Sequence, residues 1–487
     1  MTTSRTTIAR LKDHLPAFLV HFHPDRISRF VKAFGWAAAC RQVGIEIRQF
    51  VRSTLDRGRN EPRVINNAGR IELQGGPKEN VTVSVAIPVK NAGDQFQLLL
   101  SALRAQQGFK NVEIIVVDSG STDGSVEVAR QFGARVVEIL PEEFSHSYAR
   151  NLAAEQAAGD YILFTVQDAL PSSNLWLYEL FAALKNNGVA AVSCAEYPRE
   201  DADLFYQACS WAHYRFLEID GKDRILSNPE SENYSALRNN AQLSDLACLM
   251  PKDLFLKYRF RGNYAEDLEL GLRLIRDGHK LALLSSTKII HSHNRPAYYH
   301  LKRGYVDAVL LCQIFPDCPI LTIEADCLLR DILFMHGAMT SMIEGFTPNA
   351  TPCIVSSVSR RVESHYRSVA KARQPATNDA LENEYVDKDF RGFLSQLCRQ
   401  HGGSTSDPVG YNGILNGAMR NATGTVLDYL DHTYEIIDAT VMEEFKVCLF
   451  KVFAFQCGTH LGACYVRGTD ITKRDLDEIN RELSKGI

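Results

Sequence analysis

The feature that most constrains the fold of this chain is the alternation of strand and helix patterns that begins at Val81. A β-rich run ends near Pro88, a leucine-rich helix follows, and a second buried strand over residues 112–117 ends in Asp118. Strands that alternate with helices predict an α/β fold with a mostly parallel, doubly wound sheet. Such sheets bind ligands beyond the carboxyl ends of their strands. Polar residues that directly follow strands are therefore the first candidates for a functional site.

A fourth predicted strand lies within residues 160–171, DYILFTVQDALP, and delivers Asp168 at its end. Pro171 cannot donate to a central ladder, which limits how far this strand continues. Taken alone, Asp168 is better explained as a cap of the helix that begins near Ser172, because Asp is common at such positions.

Two further groups follow in order. The pair Glu266 and Asp267 opens a predicted helix, and His291 and His293 come after a late strand. Several acids and histidines at one edge of one sheet indicate a site for a divalent metal and an anionic ligand. Each residue also has a structural explanation, as a helix cap for the acids or a buried imidazole for the histidines.

The length of 487 residues is too great for one ordinary core. We predict an N-terminal helical segment over 1–78, an α/β domain over 79–300 and a C-terminal helical domain over 301–487. We find no apolar run long enough to span a bilayer. The 12 cysteines form no CxxC pair, so neither a zinc ribbon nor a disulfide framework is expected, and a reducing cytoplasm fits best.

Charge is unevenly distributed along the chain. Residues 1–63 contain 12 Lys and Arg but 5 Asp and Glu, whereas the whole chain carries a net charge of −4. A basic amphipathic start can lie on an anionic membrane surface, such as the inner face of the cytoplasmic membrane. A solvated helical face explains the charge equally well.

Five motifs in order resemble the inverting family 2 glycosyltransferases of the GT-A fold: VAIPVKN, VVDSGSTDGS, ARN, QDA and EDLELGLRL. FSHSYARN and IIHSHN bring the resemblance closer to bacterial rhamnosyltransferase-like enzymes. It covers residues 81 to about 300, and the order and spacing of the motifs are more specific than any one of them.

The resemblance implies roles for individual residues. The donor nucleotide would contact Pro88, Lys90, Asn91, Asp118, Ser119, Ser121, Arg150, Gln167 and Asp168, with Arg150 facing the diphosphate. Asp168 would hold Mg²⁺ or Mn²⁺ together with a histidine, His291 as first choice and His293 as second. The QDA triplet stands where the family usually has DxD, so it offers one carboxylate. Asp267 would be the general base, with Glu266 orienting it or contacting the acceptor.

These implications predict transfer of a sugar, such as L-rhamnose from dTDP-rhamnose, to a glycan or polyprenyl-linked glycan acceptor in bacterial surface polysaccharide synthesis. Nucleic acid is not an expected partner. Residues 301–487 could bind the acceptor, form a homo-oligomer or dock a second enzyme. One alternative is a nucleotidyltransferase, which predicts a Gly-rich basic loop after the first strand, where this chain has PVKNAGD. Another is a catalytically inactive scaffold.

Overall fold

A computed structural model describes residues 79–219, 221–346, 353–369, 383–401, 413–434 and 436–485. The predicted helical segment 1–78 lies outside these residues and stays a prediction. Strands in the described residues are β1 (Glu79–Val89), β2 (Phe109–Asp118), β3 (Arg135–Glu138), β4 (Tyr161–Phe164), β5 (Leu170–Pro171), β6 (Ala191–Tyr197), β7 (Arg224–Leu226), β8 (Cys248–Pro251) and β9 (Leu281–Ile290).

Helices alternate with these strands and then continue alone. The first eight are α1 (Gly93–Arg104), α2 (Ser125–Gln131), α3 (His146–Gln156), α4 (Trp176–Asn187), α5 (Leu204–Phe216), α6 (Tyr234–Asn240), α7 (Lys252–Tyr258) and α8 (Glu266–Arg276). The later ones are α9 (Ala297–Ile314), α10 (Ala325–Glu344), α11 (Val355–Val369), α12 (Lys388–His401), α13 (Ile414–Thr433), α14 (Ala439–Arg467) and α15 (Asp470–Leu483). The change from strands to helices thus falls between Ile290 and Ala297.

The strands form one sheet in the order β3-β2-β1-β4-β8-β6-β9-β5, with β7 paired to β9. The first four strands are parallel, as the alternating pattern predicts, and β6 is parallel to β9. The strands β8, β5 and β7 run antiparallel to their neighbours, which makes the sheet mixed. Pro171 lies in the edge strand β5, where its missing N–H costs no central ladder bond.

Register places the strand ends of β1, β2 and β3 side by side. Val89, the last residue of β1, pairs with Asp118, which in turn pairs with Glu138. The apolar runs in β1 and β2 are buried because helices cover both faces of the sheet. Since neither face meets water, the polar residues of these strands are concentrated at their ends.

Close packing fixes the helix that carries the Glu266–Asp267 pair. A Cβ at Gly271 in α8 would lie 2.0 Å from the carbonyl oxygen of Ala241, which follows α6. Only glycine permits this approach, so the position of α8 against the sheet is determined by a backbone contact.

The helices after β9 pack around α14 and share a core with α5, including Leu204 and Phe205. Glycines let α9 and α14 approach closely: a Cβ at Gly458 would lie 1.9 Å from the carbonyl oxygen of Leu301. By length and composition α14 could cross a bilayer, contrary to the sequence expectation, but 78% of its apolar window is buried inside the protein. That burial is typical of a core helix.

Candidate functional site

The loop after β2 is built around Asp118, which is 2% exposed. Its Oδ2 accepts hydrogen bonds from the backbone N–H groups of Gly120 (2.9 Å) and Ser121 (3.0 Å). Its Oδ1 is buried and accepts no hydrogen bond from any residue that the structure describes. A buried acceptor without a donor is costly, so a ligand N–H or O–H at this oxygen would be stabilising.

Side chains join this loop to the loop after β1. The hydroxyl of Ser119 donates to the carbonyl of Val89 (3.3 Å), and Ser121 Oγ accepts the N–H of Asn91 (2.8 Å). Asn91 has φ +48° and accepts the N–H of Thr122 through Oδ1 (2.8 Å). Asparagine tolerates this left-handed conformation better than most residues. The predicted donor residues after β1 and β2 therefore form one continuous surface.

Gln167 connects that surface to the end of β4. Its Oε1 accepts the N–H of Lys90 (2.8 Å), and its Nε2 donates to the carbonyl of the same residue (3.3 Å). An amide can do both, whereas a carboxylate can only accept. The structure thus gives a physical reason for Gln at the first position of QDA. Pro88 lies two residues before Lys90 in β1 and pairs with Val117 of β2. The side chain of Lys90 is exposed.

Asp168 and both predicted histidines meet beyond the strand ends. His291 Nε2 lies 3.5 Å from Asp168 Oδ1, and His293 Nε2 lies 3.6 Å from Oδ2. The two Nε2 atoms are 3.1 Å apart. One donor atom from each of the three residues lies within 4.8 Å of the other two. The sequence left the choice of histidine open, and the geometry brings both together with Asp168.

A second layer holds His291 in place. Its Nδ1 contacts Glu196 Oε1 at 2.8 Å and the hydroxyl of Tyr206 at 3.1 Å. Tyr206 also donates to the same carboxylate oxygen of Glu196. A carboxylate on the far nitrogen of an imidazole fixes its tautomer and leaves the near nitrogen aimed at the metal position.

The ionisation of the cluster follows from these contacts. Burial alone would lower the pKa of His291, but Asp168 and Glu196 raise it to about 9. Burial and the neighbouring His291 lower the pKa of His293 to about 4. Burial opposes ionisation of Asp168, yet its hydrogen bond to His291 and the nearby positive charges hold the pKa of that carboxyl below its usual value. The two acids therefore favour the protonated form of His291, whereas burial favours the neutral form of His293.

Arg199 ties the Asp168 loop to the segment that carries the histidines. Its guanidinium donates to the backbone carbonyls of Asp168 and Ser292, the latter at 2.8 Å. The same side chain lies 3.9 Å from Asp168 Oδ2. The two loops that supply the cluster are therefore positioned by one arginine.

Glu266 and Asp267 begin α8 after Ala265, a non-glycine residue with φ +48°. Asp267 accepts the N–H groups of Leu268 (2.7 Å) and Asp245 (3.3 Å) and keeps its side chain partly exposed. Burial, and then the charge of Asp245, raise the pKa of Asp267 above its ordinary value. A carboxylate with a raised pKa is better suited to accept a proton near neutral pH.

Arg150 differs from its expected position. The family resemblance implies that Arg150 faces the donor diphosphate, but its side chain is 1% exposed and lies among carboxylates. Nη1 donates to Glu266 Oε1 at 2.8 Å, and Nη2 donates to Asp245. Burial raises the pKa of Glu266, and Arg150 opposes that rise. The arginine thus compensates the buried Glu266 and the partly exposed Asp245, and a diphosphate role stays a prediction.

Hydrogen bonds link the segment that carries Asp168 to the segment that contacts Asp267. Thr165, three residues before Asp168, donates its hydroxyl to the carbonyl of Leu246 (2.8 Å). Leu246 directly follows Asp245, whose backbone contacts Asp267. Three groups therefore lie at the sheet edge: Oδ1 of Asp118, which no described residue contacts as a hydrogen-bond donor, the possible metal ligands Asp168, His291 and His293, and the partly exposed carboxylate of Asp267.

The donor set of Asp168, His291 and His293 suits a transition metal ion such as Mn²⁺, because carboxylate and imidazole are its ordinary ligands. Metal binding would require His291 to lose the proton that the carboxylates now stabilise. The residues therefore fit the predicted metal in ligand type and spacing.

Three contributors were missed by the sequence analysis: Glu196, Tyr206 and Asp245. Glu196 is the last residue but one of β6, so a search for acids at strand ends could have found it. Nothing in the local sequence marks Tyr206 or Asp245, since their partners are distant along the chain.

Comparison with known proteins agrees with this geometry. The sequence model of glycosyl transferase family 2 matches residues 84–241. The O-antigen chain rhamnosyltransferase WbaN of Salmonella anatum is 26% identical over 219 residues, which cover 43% of this chain and 66% of that protein. Glycosyltransferase AglE of Haloferax volcanii is 40% identical over 115 residues, 23% of this chain and 38% of its relative.

The chain thus spans about two thirds of the length of the rhamnosyltransferase that it matches. Among solved structures, S. aureus TarS 1–349 aligns with 70% of this chain and 91% of its own at 16% identity. Its TM-score of 0.35 is too low to support a conclusion. The family match, the motif order and the sheet-edge site together indicate a glycosyl transferase family 2 domain within residues 84–241 of this chain.

Proposed function

We propose that this protein transfers a sugar from a nucleotide-sugar donor to a glycan or lipid-linked glycan acceptor, with inversion at the anomeric carbon. The observation that carries the proposal is the placement at one sheet edge of Asp118, the Asp168–His291–His293 cluster and Asp267. These groups supply a hydrogen-bond acceptor for a nucleotide, a metal position and a base.

The donor nucleotide would lie on the surface formed by the loops after β1 and β2. Oδ1 of Asp118 accepts no hydrogen bond within the described part of the chain, so it is suited to accept a base N–H or a ribose hydroxyl. Pro88, Asn91, Ser119 and Ser121 form the surface around it. The exposed ammonium of Lys90 would face the phosphates.

Asp168, His291 and His293 would hold Mg²⁺ or Mn²⁺, and the nitrogen-rich set favours Mn²⁺. When bound, the ion offsets negative charge on the leaving diphosphate. Glu196 and Arg199 position the residues that hold it.

Asp267 would be the general base. The acceptor hydroxyl gives its proton to a carboxylate oxygen of Asp267 while its oxygen bonds to the anomeric carbon. The bond from that carbon to the diphosphate oxygen breaks, and the nucleoside diphosphate leaves with the electron pair. Attack opposite the leaving group inverts the configuration, and one carboxylate suffices for such a single displacement.

Rhamnose is the proposed sugar, with dTDP-rhamnose as donor and a surface polysaccharide as product. Support comes from the curated relative with a rhamnosyltransferase name and from the IIHSHN and QDA motifs. The acceptor class suggests work at the inner face of the cytoplasmic membrane, reached through the basic residues 1–63. Flotation with anionic vesicles at low salt tests this: a chain that stays unbound contradicts the membrane proposal.

The central test measures sugar transfer with Mn²⁺ or with chelator, for the wild type and Asp267→Asn, and determines the product anomer by NMR. We expect an inverted product, loss of turnover with chelator and little turnover in the variant. A retained configuration contradicts the mechanism. Release of pyrophosphate would favour a nucleotidyltransferase, and no turnover with any nucleotide sugar would favour an inactive scaffold.

A further inference from the structure

A cleft of about 620 Å³ lies where the segment after β9 meets the later helices. On the sheet side it is lined by Asp203, Asn294 and Arg295, and on the helical side by Glu384, Tyr385 and Val447, among others. We call it the seam cleft. None of the donor, metal or base residues described above lines it.

The seam cleft is linked to the metal cluster through the backbone and through hydrogen bonds. Asn294 follows His293 in the chain, and consecutive Cα atoms are about 3.8 Å apart. Asn294 Oδ1 accepts the N–H of Asp203 (2.8 Å), and Asp203 caps α5 by accepting the N–H of Tyr206 (3.0 Å). Tyr206 is the residue that contacts His291. Both sheet-side walls are therefore continuous with segments that hold the cluster.

The charges of the seam cleft decide which ligand it suits. Four carboxylates line it, Asp203, Glu384, Asp387 and Glu443, against two cations, Arg295 and Lys451. Lys451 is paired with Asp203, and Lys446, which lies outside the lining, is paired with Glu443, each at 2.7 Å. Four carboxylates thus face three cations. The excess of negative charge disfavours a nucleotide, a lipid diphosphate or an acidic glycan, whereas carboxylates accept hydrogen bonds well from neutral hydroxyls.

The same cleft offers an aromatic ring and an aliphatic surface. Tyr385 donates its hydroxyl to Glu443 Oε2 at 2.8 Å, which fixes the ring, and Val447 is 37% exposed. A site with a few convergent polar groups around apolar surface is typical of a pocket for a small organic ligand. Sugar rings present hydroxyls at their edges and C–H groups on their faces, which matches this combination.

We infer that the seam cleft binds a neutral oligosaccharide stretch of the acceptor and that the later helices thereby select the acceptor glycan. This inference rests on the proposed transferase function. It assigns to residues 301–487 a substrate-binding role that the motifs do not supply.

The test uses the full chain and titrates neutral tri- to pentasaccharides containing rhamnose, mannose or galactose, with a uronic-acid oligosaccharide of equal length as the anionic control. Val447→Trp fills the seam cleft. Ile354→Trp is the matched control, because Ile354 is also exposed (55%) but lies outside the lining. We expect binding of a neutral oligosaccharide by wild type and control, and at least about tenfold weaker binding by Val447→Trp, equivalent to about 1.4 kcal/mol.

Glu384→Gln is a second, isosteric variant in case the tryptophan disturbs folding. Replacing its exposed carboxylate should weaken neutral oligosaccharide binding about threefold to tenfold, as expected for a charge-assisted hydrogen bond. A thermal shift with UDP or dTDP verifies the donor site in each variant.

The inference is overturned if both cleft variants bind like Ile354→Trp, if the uronic-acid oligosaccharide binds as tightly, or if no neutral oligosaccharide binds. If the wild type transfers no sugar but the cleft variants bind oligosaccharide more weakly than it does, the seam cleft is supported and the proposed function is contradicted. If the wild type transfers sugar but the cleft variants bind oligosaccharide as well as it does, the proposed function is supported and the seam cleft is contradicted.

Discussion

Replacement of Glu196 tests whether the second layer around His291 controls metal binding. The carboxylate contacts His291 Nδ1 at 2.8 Å and accepts a hydrogen bond from Tyr206. In Glu196→Gln the imidazole keeps a neighbour of the same shape but loses the negative charge that orients it and raises its basicity. Outer-layer partners of metal-binding histidines typically contribute about 10-fold to 100-fold in metal affinity, or about 1.4–2.7 kcal/mol. We expect a loss in that range.

The measurement is a titration of Mn²⁺ into the donor-free chain, followed by isothermal calorimetry or by the EPR signal of the free ion. Tyr206→Phe is the matched comparison, because it removes one hydrogen bond and no charge, and should cost about 0.5–1.5 kcal/mol. Asp168→Asn removes a proposed ligand and should abolish tight binding. Equal Mn²⁺ affinity in Glu196→Gln and wild type would refute the assignment of Glu196 as a positioning residue.

Three other predictions concern the base, the buried arginine and the helix crossing. Burial raises the pKa of Asp267. As the pH is lowered, Asp267 should therefore be protonated, and kcat/KM should decrease, at a higher pH than for an ordinary aspartate near pKa 3.9. A flat profile of kcat/KM between pH 5 and 8, or an Asp267→Asn variant that loses less than about 100-fold in kcat, would contradict its role. Arg150→Met should lower the free energy of unfolding by about 3–5 kcal/mol, because it leaves the acids around Arg150 uncompensated. Adding Glu266→Gln should restore part of that free energy, measured by urea unfolding. No restoration would refute the pairing of Arg150 with Glu266. Gly458→Ala should lower the unfolding temperature, since its Cβ would lie 1.9 Å from a carbonyl oxygen of α9. Gly424→Ala is the control: its Cβ would have no atom within 4 Å, so it should be neutral or stabilising by up to about 1 kcal/mol. Equal effects of the two alanines would argue against the tight crossing of α9 and α14.

Local patterns made much of the fold predictable. The buried runs of β1 and β2 and the intervening helix follow from apolar periodicity, and their ends follow from Asp118 and the turn residues after it. The antiparallel β8 between β4 and β6 was not predictable in this way, because strand order depends on contacts between distant segments. Periodicity reports which residues are buried, but not which strand lies beside them.

The candidate site was likewise predictable only in part. Motif order brought Asp118, Asp168, Asp267 and the two histidines to attention, and the structure places Asp168 together with both histidines. The partners of these residues were hidden: Glu196 meets His291 across 95 residues, and Arg150 meets Glu266 across 116. An arginine before a strand looks the same in sequence whether it faces a diphosphate or a buried acid.

The sequence by itself determined the α/β class, the family resemblance of the α/β region, and the acids and histidines that follow the strands. These depend on periodicity and on short motifs along the chain. The tertiary structure alone decided that both histidines join Asp168, that Glu196 supports one of them, that Arg150 is buried among acids, and that a cleft lies beside the metal cluster. The physical reason is that pKa values, ion pairs and cavities depend on distances of a few ångströms between residues that are far apart in sequence. Those distances are fixed only when the sheet, the helices and the α9–α14 crossing pack together.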